Sequence, residues 1–270
     1  MARIAMKIAY DGVAFHGHTR QPGLATVEGE ILSALDRAGI VRDPRASRFQ
    51  SASRTDRGVS ALGNVIAFNT TLSTTATVRA FNGKARGVWA WAIARVPETF
   101  NARSARERWY RYSLPARHDP DRLTSALAPF IGTHDFRSFT RDRTRTVVRI
   151  DVARASREQG MVVLDFHAPS FRWNLVRRLV AAALIVEEDP RKGADVARAL
   201  QGSAREDFGL SPPEPLTLMD VVYEVELVPV EDPTTRDRVL RLLEDRTRSA
   251  RFVRAVAQKF DRATDESPNV

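Results

Sequence analysis

The spacing of apolar and polar residues predicts strands and helices along most of the chain. Over residues 2–10, apolar side chains alternate with polar or small ones, which is typical of a half-buried strand. From residue 26 to residue 38, apolar side chains lie three and four positions apart, which predicts a helix capped by Thr26 and stopped by Gly39. Residues 171–187 carry the clearest helical stripe. The same periods predict further strands over 48–53, 62–69, 88–96, 108–114, 146–155, 161–168 and 216–228, and further helices over 121–130, 193–201 and 232–260.

The arrangement of these elements predicts the fold class. Residues 88–96 are almost continuously apolar, as expected of a strand buried on both faces. A turn through Gln159 and Gly160 joins the strands 146–155 and 161–168 as a hairpin. Because hairpins are frequent, we expect antiparallel or mixed sheets with helices packed on one face, which is an α+β arrangement.

The composition is that of a folded protein. The chain has 270 residues, of which 43% are apolar and 28% are charged. Its longest apolar stretch, Leu179 to Val186, is far shorter than the ~20 residues needed to span a membrane. The N-terminal residues lack the apolar core of a signal peptide, and the absence of cysteine excludes disulfides and thiolate metal sites. We therefore expect a cytoplasmic protein with no membrane partner.

The charge balance points to a polyanionic partner. The net charge is +9, from 42 basic and 33 acidic residues. Only four of the basic residues are lysines, and arginine offers planar, bidentate donors that suit phosphate groups. A GC-rich genome would raise the share of arginine as well, so that ratio has two explanations. The net charge itself favours a nucleic-acid partner.

Several familiar catalytic patterns are missing from the sequence. It has no GxGxxG loop, no Walker-type loop and no serine in a G-x-S-x-G elbow. Of the five histidines only His16 and His18 lie close together, and few carboxylates accompany them. We therefore expect no metal site.

The most informative stretch places an acidic residue between two arginines. Asp56 follows Arg54 and precedes Arg57 in a loop between two predicted strands. Such a loop is often only an Asx-turn with surface ion pairs. Alternatively, guanidinium groups beside a carboxylate keep it ionised, and an ionised carboxylate acts as a nucleophile without a helper base. The residues of this loop alone leave both interpretations open.

Seven segments follow one another in a recognisable order. They are IAYDGVAFHGHTRQ, TVEGEILSAL, SASRTDRGVSALGNVIAF, FNARSARERWYRYSL, GTHDFRSFT, SFRWNLVRRLVAAAL and PPEPLTLMDVVYE. They look like the opening strand, first helix, catalytic motif, tyrosine strand, loop, arginine helix and closing strand of the tRNA pseudouridine synthase A (TruA) family. The resemblance covers roughly residues 4–226, and the order of the segments makes it specific.

The resemblance implies a role for each residue that matches a family motif. Asp56 is then the nucleophile, and Arg54 helps to move the target base out of the RNA stack. Tyr110 stacks on the flipped base, with Tyr112 as a second candidate for that role. Arg177 pairs with the catalytic carboxylate.

The resemblance also implies a fold and a domain organisation. The pseudouridine synthase fold is an α+β fold of two halves around a mainly antiparallel mixed sheet, with a central basic cleft. We expect an N-terminal half with the catalytic loop over residues 1–100 and a C-terminal half with the tyrosine strand and the arginine helix over 101–230. Residues 231–270 would form a C-terminal helical extension and tail.

The implied activity is the isomerisation of uridine to pseudouridine in tRNA by a homodimer, at positions 38–40 of the anticodon stem-loop. This reaction breaks an N-glycosidic bond and rejoins the uracil through carbon 5, so it needs no cofactor. Two departures from the bacterial pattern indicate an archaeal or eukaryotic-type member, with the archaeal type expected. His18 stands in place of a tryptophan, and SALGNV lacks a histidine-glycine pair.

Two other hypotheses remain at this point. One is an RNA-binding module on the same scaffold, although such a module does not need the carboxylate of Asp56. The other is a phosphate hydrolase that uses Asp56 with Mg²⁺. It requires a second carboxylate close by in the fold, and the nearest acids in the sequence are Asp43 and Glu98.

Overall fold

The computed structural model describes residues 1–202 and 206–265. The chain forms two compact units, Met1–Val230 and Glu231–Val270. Whether the first unit divides into functional halves at residue 100 stays a prediction. Every helix among the described residues is too short or too polar to span a lipid bilayer.

One large sheet forms the centre of the first unit. The strands of this sheet are β1 Ala2–Tyr10, β2 Gln50–Ser51, β3 Ser60–Thr70, β4 Val88–Arg95, β5 Glu107–Pro115, β8 Val152–Glu158, β9 Met161–Ala168, β10 Leu216–Val222 and β11 Val228–Pro229. Their order is β11-β4-β1-β3-β10-β5-β9-β8, with β2 on the side of β3, and neighbouring strands are antiparallel except β3 and β10. This confirms the predicted α+β fold with a mainly antiparallel mixed sheet. A separate pair is formed by β6 Gly132–Asp135 and β7 Val147–Ile150.

Helices of the first unit bury apolar faces against the sheet and against one another. Thr26 caps the first helix with its side-chain oxygen, as its position predicts. Ile31 and Leu35 of that helix are fully buried in the same core as Met6 and Phe68 of the sheet. The helices are α1 Val27–Arg37, α2 Thr74–Lys84, α3 Pro120–Leu127, α4 Leu175–Glu188 and α5 Gly193–Leu200.

The second unit contains one long helix, α6 Pro233–Asp265. Its sequence is rich in arginine, and several of its apolar side chains, such as Leu243 and Val253, are exposed. This confirms that the region predicted as helical from residue 232 is a helix.

Three predicted strands are wrong in extent. Of the strand expected over 48–53, only Gln50–Ser51 forms, as β2. The strand expected over 146–155 is divided at Asp151, so that β7 joins the small sheet and only β8 pairs with β9. The backbone N–H of Asp151 donates instead to the carbonyl of His167. The strand expected over 216–228 ends at Val222, and β11 then pairs with β4 at the far edge of the sheet.

The strand β4 is not buried on both faces as predicted. Trp91 is 37% exposed. Its indole N–H donates to the carbonyl of Leu62 at 2.7 Å, and the ammonium of Lys7 lies 5.4 Å from the ring centroid. This tryptophan therefore contacts polar groups of the sheet and solvent. The apolar pattern had predicted that other apolar residues would cover this face of β4.

Two elements were not predicted, and one helix begins later than predicted. The helix α2 is rich in threonine, a weak helix former, and β6 falls in a segment interpreted as a loop. The helix α4 begins at Leu175, not at residue 171, because Asn174 has a left-handed backbone with φ 64°.

The helix α2 supplies a polar anchor to the sheet. The side chain of Asn82 accepts from the backbone N–H of Ala90 and donates to its carbonyl, both at 2.8 Å, and it is 1% exposed. Asn82 thus satisfies the backbone hydrogen-bonding groups of Ala90 on β4, as a neighbouring strand would.

We predict that Asn82→Leu lowers the free energy of unfolding by about 1–3 kcal/mol, because it leaves the buried N–H and carbonyl of Ala90 unpaired. Urea unfolding at neutral pH measures the change. The matched control is Thr75→Ala on the exposed side of the same helix, which we expect to change stability by less than ~0.5 kcal/mol. Equal stabilities of the two variants would show that the anchor contributes nothing.

Candidate active site

The loop that carries Asp56 is fixed by a buried asparagine. Asn64 on β3 is fully buried, and its side chain pairs with both the N–H and the carbonyl of Ser53, at 3.2 and 3.0 Å. It also donates to the hydroxyl of Tyr10, which lies 2.9 Å from the hydroxyl of Thr55. Burial raises the pKa of Tyr10 to about 12, so its hydroxyl stays neutral and available to this network.

A buried arginine ties the same loop to β5. The guanidinium of Arg108 donates to the Ser53 hydroxyl and to the carbonyl of Ala52, both at 3.0 Å. It also donates to the carbonyls of Arg103 and Pro169. A guanidinium whose donors reach four separate partners holds these segments in fixed positions. Sequence reasoning missed Arg108, although its place on the buried face of the tyrosine strand could have revealed it.

The turn after Asp56 requires glycine. Gly58 has φ 86°, a left-handed conformation that favours glycine, and a Cβ there would lie 2.9 Å from Pro213. Gly12 lies so close to the carbonyl of Val59 that a Cβ would approach within 2.2 Å. The opening turn and the proline loop 211–215 therefore enclose the Asp56 loop from two directions.

Three donors converge on the carboxylate of Asp56. One oxygen, Oδ2, lies 3.0 Å from Nη1 of Arg177 and 2.5 Å from Nδ2 of Asn174. The other oxygen, Oδ1, lies 3.2 Å from Nε1 of Trp173. The Asp56 side chain remains 28% exposed, whereas that of Arg177 is 12% exposed. A positioned carboxylate that solvent can still reach has the geometry of a nucleophile.

The cation that pairs with Asp56 comes from α4 and not from the adjacent arginines. Arg177 is itself held by the carbonyl of Ser211, 2.8 Å from its Nε. Arg54 and Arg57 are exposed, and in the described parts of the chain neither forms an ion pair with Asp56. The side chains of Arg54 and Arg57 are exposed to solvent, and the ion-pair partner of Asp56 among the described residues is Arg177.

Both candidate tyrosines lie on the buried face of β5. Tyr110 is 8% exposed and packs edge-on against Phe171, with ring centroids 5.2 Å apart. Burial raises the pKa of the Tyr110 hydroxyl, and the nearby charges of Tyr10 and Asp56 act in the same direction. Tyr112 is 2% exposed and lies deeper in the core. Tyr110 is thus the more accessible of the two, and the charge of Asp56 acts on its hydroxyl.

His18 has a structural partner. Its ring Nε2 lies 3.0 Å from the hydroxyl of Ser51, and the residue is 2% exposed. Burial lowers the pKa of His18 to about 4, so the ring is neutral at pH 7. In the described chain, no group of three or more histidine, aspartate or glutamate side chains is placed to hold a metal ion.

Comparison with known proteins adds an independent finding. A family model described as tRNA pseudouridine synthase matches residues 126–224. A protein of Methanothermobacter thermautotrophicus, named tRNA pseudouridine synthase A, is 40% identical over 251 residues, which cover 91% of this chain and 90% of that protein. Proteins of the same name from Thermococcus sibiricus and Pyrococcus furiosus are 41% and 40% identical and each cover 82% of this chain, with 85% and 84% of their own lengths aligned. These relatives are archaeal, in agreement with the expectation of an archaeal-type member.

The neutral His18 predicts a specific dependence of stability on pH. Because its pKa is about 4 in the folded protein and 6.5 in the unfolded chain, the unfolded chain takes up the proton first as the pH falls. The free energy of unfolding of the wild type should therefore fall by roughly 3 kcal/mol more than that of His18→Gln between pH 6.5 and pH 4.

Urea unfolding across this pH range measures the difference between the two proteins. The control is His16→Gln at an exposed position, which we expect to follow the wild type. If wild type and His18→Gln lose the same stability between pH 6.5 and pH 4, the buried neutral histidine is not responsible for the acid sensitivity.

Proposed function

This chain belongs to the tRNA pseudouridine synthase A family, and from that premise we propose that Asp56 is the nucleophile with which it isomerises uridine to pseudouridine in tRNA. One observation carries the proposal. The carboxylate of Asp56 is ion-paired with Arg177 at 3.0 Å, yet its side chain is 28% exposed. The ion pair fixes the orientation of the carboxylate, and the exposure leaves an approach for the nucleotide.

The remaining site residues have roles that their positions support. Arg54 is exposed beside Asp56, where a guanidinium can occupy the space that the flipped nucleotide leaves in the RNA. The charge of Asp56 acts on the hydroxyl of Tyr110, and an aromatic ring in this part of the site can contact the base and offset part of the cost of unstacking. We assign the stacking role to Tyr110 and not to Tyr112, because Tyr112 is almost completely enclosed.

The reaction conserves every atom of the nucleotide. The bond between N1 of uracil and the ribose carbon breaks, and a bond from carbon 5 to the same ribose carbon forms. Carbon 5 loses a proton and N1 gains one, so nothing is oxidised or reduced. The contribution of this chain is to position the nucleotide against Asp56, to stabilise charge and to exclude competing groups.

The substrate and assembly follow from the resemblance of the motifs. We propose a uridine at positions 38–40 of the anticodon stem-loop as the target, and a homodimer as the functional form. The excess of 42 basic over 33 acidic residues supports binding of the tRNA backbone. Arg103, Arg137, Arg141 and Arg143 are candidates for phosphate contacts.

We predict that Asp56→Asn forms no detectable pseudouridine in an unmodified tRNA transcript incubated without metal or cofactor, whereas the wild type does. The amide keeps the shape of the carboxylate but cannot act as a nucleophile. Mass spectrometry of the digested transcript measures the product, and mapping it along the tRNA tests the proposed positions. The control is Asp36→Asn, an exposed carboxylate at the end of α1, which we expect to act like the wild type.

Other outcomes would favour the alternatives. Tight tRNA binding by the wild type without product on several transcripts would indicate an RNA-binding module. Product from Asp56→Asn would show that another residue is the nucleophile. A requirement for Mg²⁺ together with phosphate release would indicate a hydrolase, although the described residues provide no cluster of ligands for such an ion.

A further inference from the structure

Asn174 has an unusual backbone conformation for its position. It immediately precedes α4, with φ 64° and ψ 4°, in the left-handed region that non-glycine residues rarely adopt. An asparagine before a helix usually accepts a hydrogen bond from a backbone N–H of the first turn. The side chain of Asn174 makes no such bond. Its amide is therefore not engaged in capping the helix.

The amide of Asn174 is instead directed at the nucleophile. Its Nδ2 lies 2.5 Å from Oδ2 of Asp56, the oxygen that also accepts from Nη1 of Arg177 at 3.0 Å. The other oxygen, Oδ1, has a single and longer contact, 3.2 Å from the indole N–H of Trp173. A carboxylate oxygen offers about two lone-pair directions, so Oδ2 is fully occupied and Oδ1 is not.

Neighbouring contacts maintain the strained backbone at Asn174. The carbonyl of Trp173 accepts from the Thr140 hydroxyl at 3.0 Å and from the N–H of Arg141 at 3.2 Å. The N–H of Trp173 donates to a carboxylate oxygen of Asp142 at 3.2 Å. Because the peptide groups before Asn174 are fixed in this way, the left-handed conformation persists despite its cost. It turns the amide towards Asp56.

We propose that Asn174 is a positioning residue for the reaction: together with Arg177 it holds Oδ2 of Asp56 and thereby leaves Oδ1 as the oxygen that attacks the nucleotide. This inference rests on the proposed role of Asp56 as the nucleophile. Under this proposal the side-chain amide of Asn174 orients the carboxylate of Asp56. If asparagine were present only because it tolerates the left-handed backbone, its amide would have no such role.

The electrons balance whether Oδ1 attacks the anomeric carbon of ribose or carbon 6 of uracil. If Oδ1 bonds to the anomeric carbon of ribose, the N-glycosidic bond breaks and its electron pair stays on the uracil. If Oδ1 bonds to carbon 6 of uracil, the electron pair of the ring double bond moves towards the carbonyl at carbon 4. In both cases the negative charge leaves the carboxylate, while the donors on Oδ2 keep its plane fixed.

Asn174→Gly tests the effect of the side-chain amide independently of the left-handed backbone conformation. Glycine adopts φ 64° without strain, so this variant removes the donor and retains the turn. We expect kcat for pseudouridine formation to fall roughly 10- to 100-fold, with KM for tRNA little changed. The matched control is Gln159→Gly, an exposed left-handed residue in the β8–β9 hairpin turn, which we expect to leave kcat unchanged.

Asn174→Asp provides a readout that a purely structural role would not change. Aspartate resembles asparagine in shape and tolerates the left-handed region, but it places a second carboxylate against Asp56. The charged groups around this pair are Arg177 on α4, Asp142 and Arg141 beside Trp173 and, when ionised, Tyr110 on β5. Two adjacent carboxylates resist being ionised together, so we expect the acid limb of kcat to move to higher pH, by about one unit or more. Asn101→Asp adds the same charge at an exposed position and should leave that limb in place.

The outcomes are distinct. A folded Asn174→Gly with wild-type kcat would overturn the proposal. If Asn174→Gly fails to fold, an unshifted acid limb in Asn174→Asp would overturn it instead. Activity in Asp56→Asn would overturn the proposed function itself, whereas an inactive Asp56→Asn beside a fully active Asn174→Gly would overturn only the role of Asn174.

Discussion

The candidate site depends on the ion pair between Asp56 and Arg177. These residues lie 121 positions apart in the sequence, on the loop before β3 and on the first turn of α4. The guanidinium is mostly buried and is oriented by the carbonyl of Ser211, so it offers a fixed direction to the carboxylate. The carboxylate keeps part of its surface in solvent. A pair in this setting differs from an exposed surface pair, which contributes little because solvent screens it.

An ion pair of fixed geometry requires that both of its supports are rigid. The support of Asp56 is a set of buried polar side chains. Asn64 holds the backbone of Ser53, Arg108 holds the Ser53 hydroxyl, and Tyr10 holds the Thr55 hydroxyl. Each of these buried groups has a partner, and removing one partner leaves a desolvated group that costs about 1–3 kcal/mol. The cost of leaving these groups unpaired therefore favours a single conformation of the loop.

Much of the site could be predicted from the sequence, because Asp56, Tyr110 and Arg177 lie in segments with a recognisable order. The alternation of apolar residues also predicted β1, β5 and α1 close to their observed bounds. The contacts of Asn174 could not be predicted, since they follow from a left-handed backbone that a helical stripe over 171–187 conceals. Tertiary pairing likewise decided where the strands near residues 151 and 222 end, and local periodicity carries no information about a change of sheet partner.

The most direct test of this account is the single-turnover rate of pseudouridine formation in Arg177→Gln, compared with Arg177→Lys and the wild type at equal saturation with tRNA. Removing the cation should reduce the rate by about 100- to 1,000-fold in Arg177→Gln, with the dissociation constant for tRNA nearly unchanged. Arg177→Lys retains the charge and should retain more of the rate than Arg177→Gln. A wild-type rate in a folded Arg177→Gln would contradict the account, because the ion pair with Asp56 would then be unnecessary for the reaction.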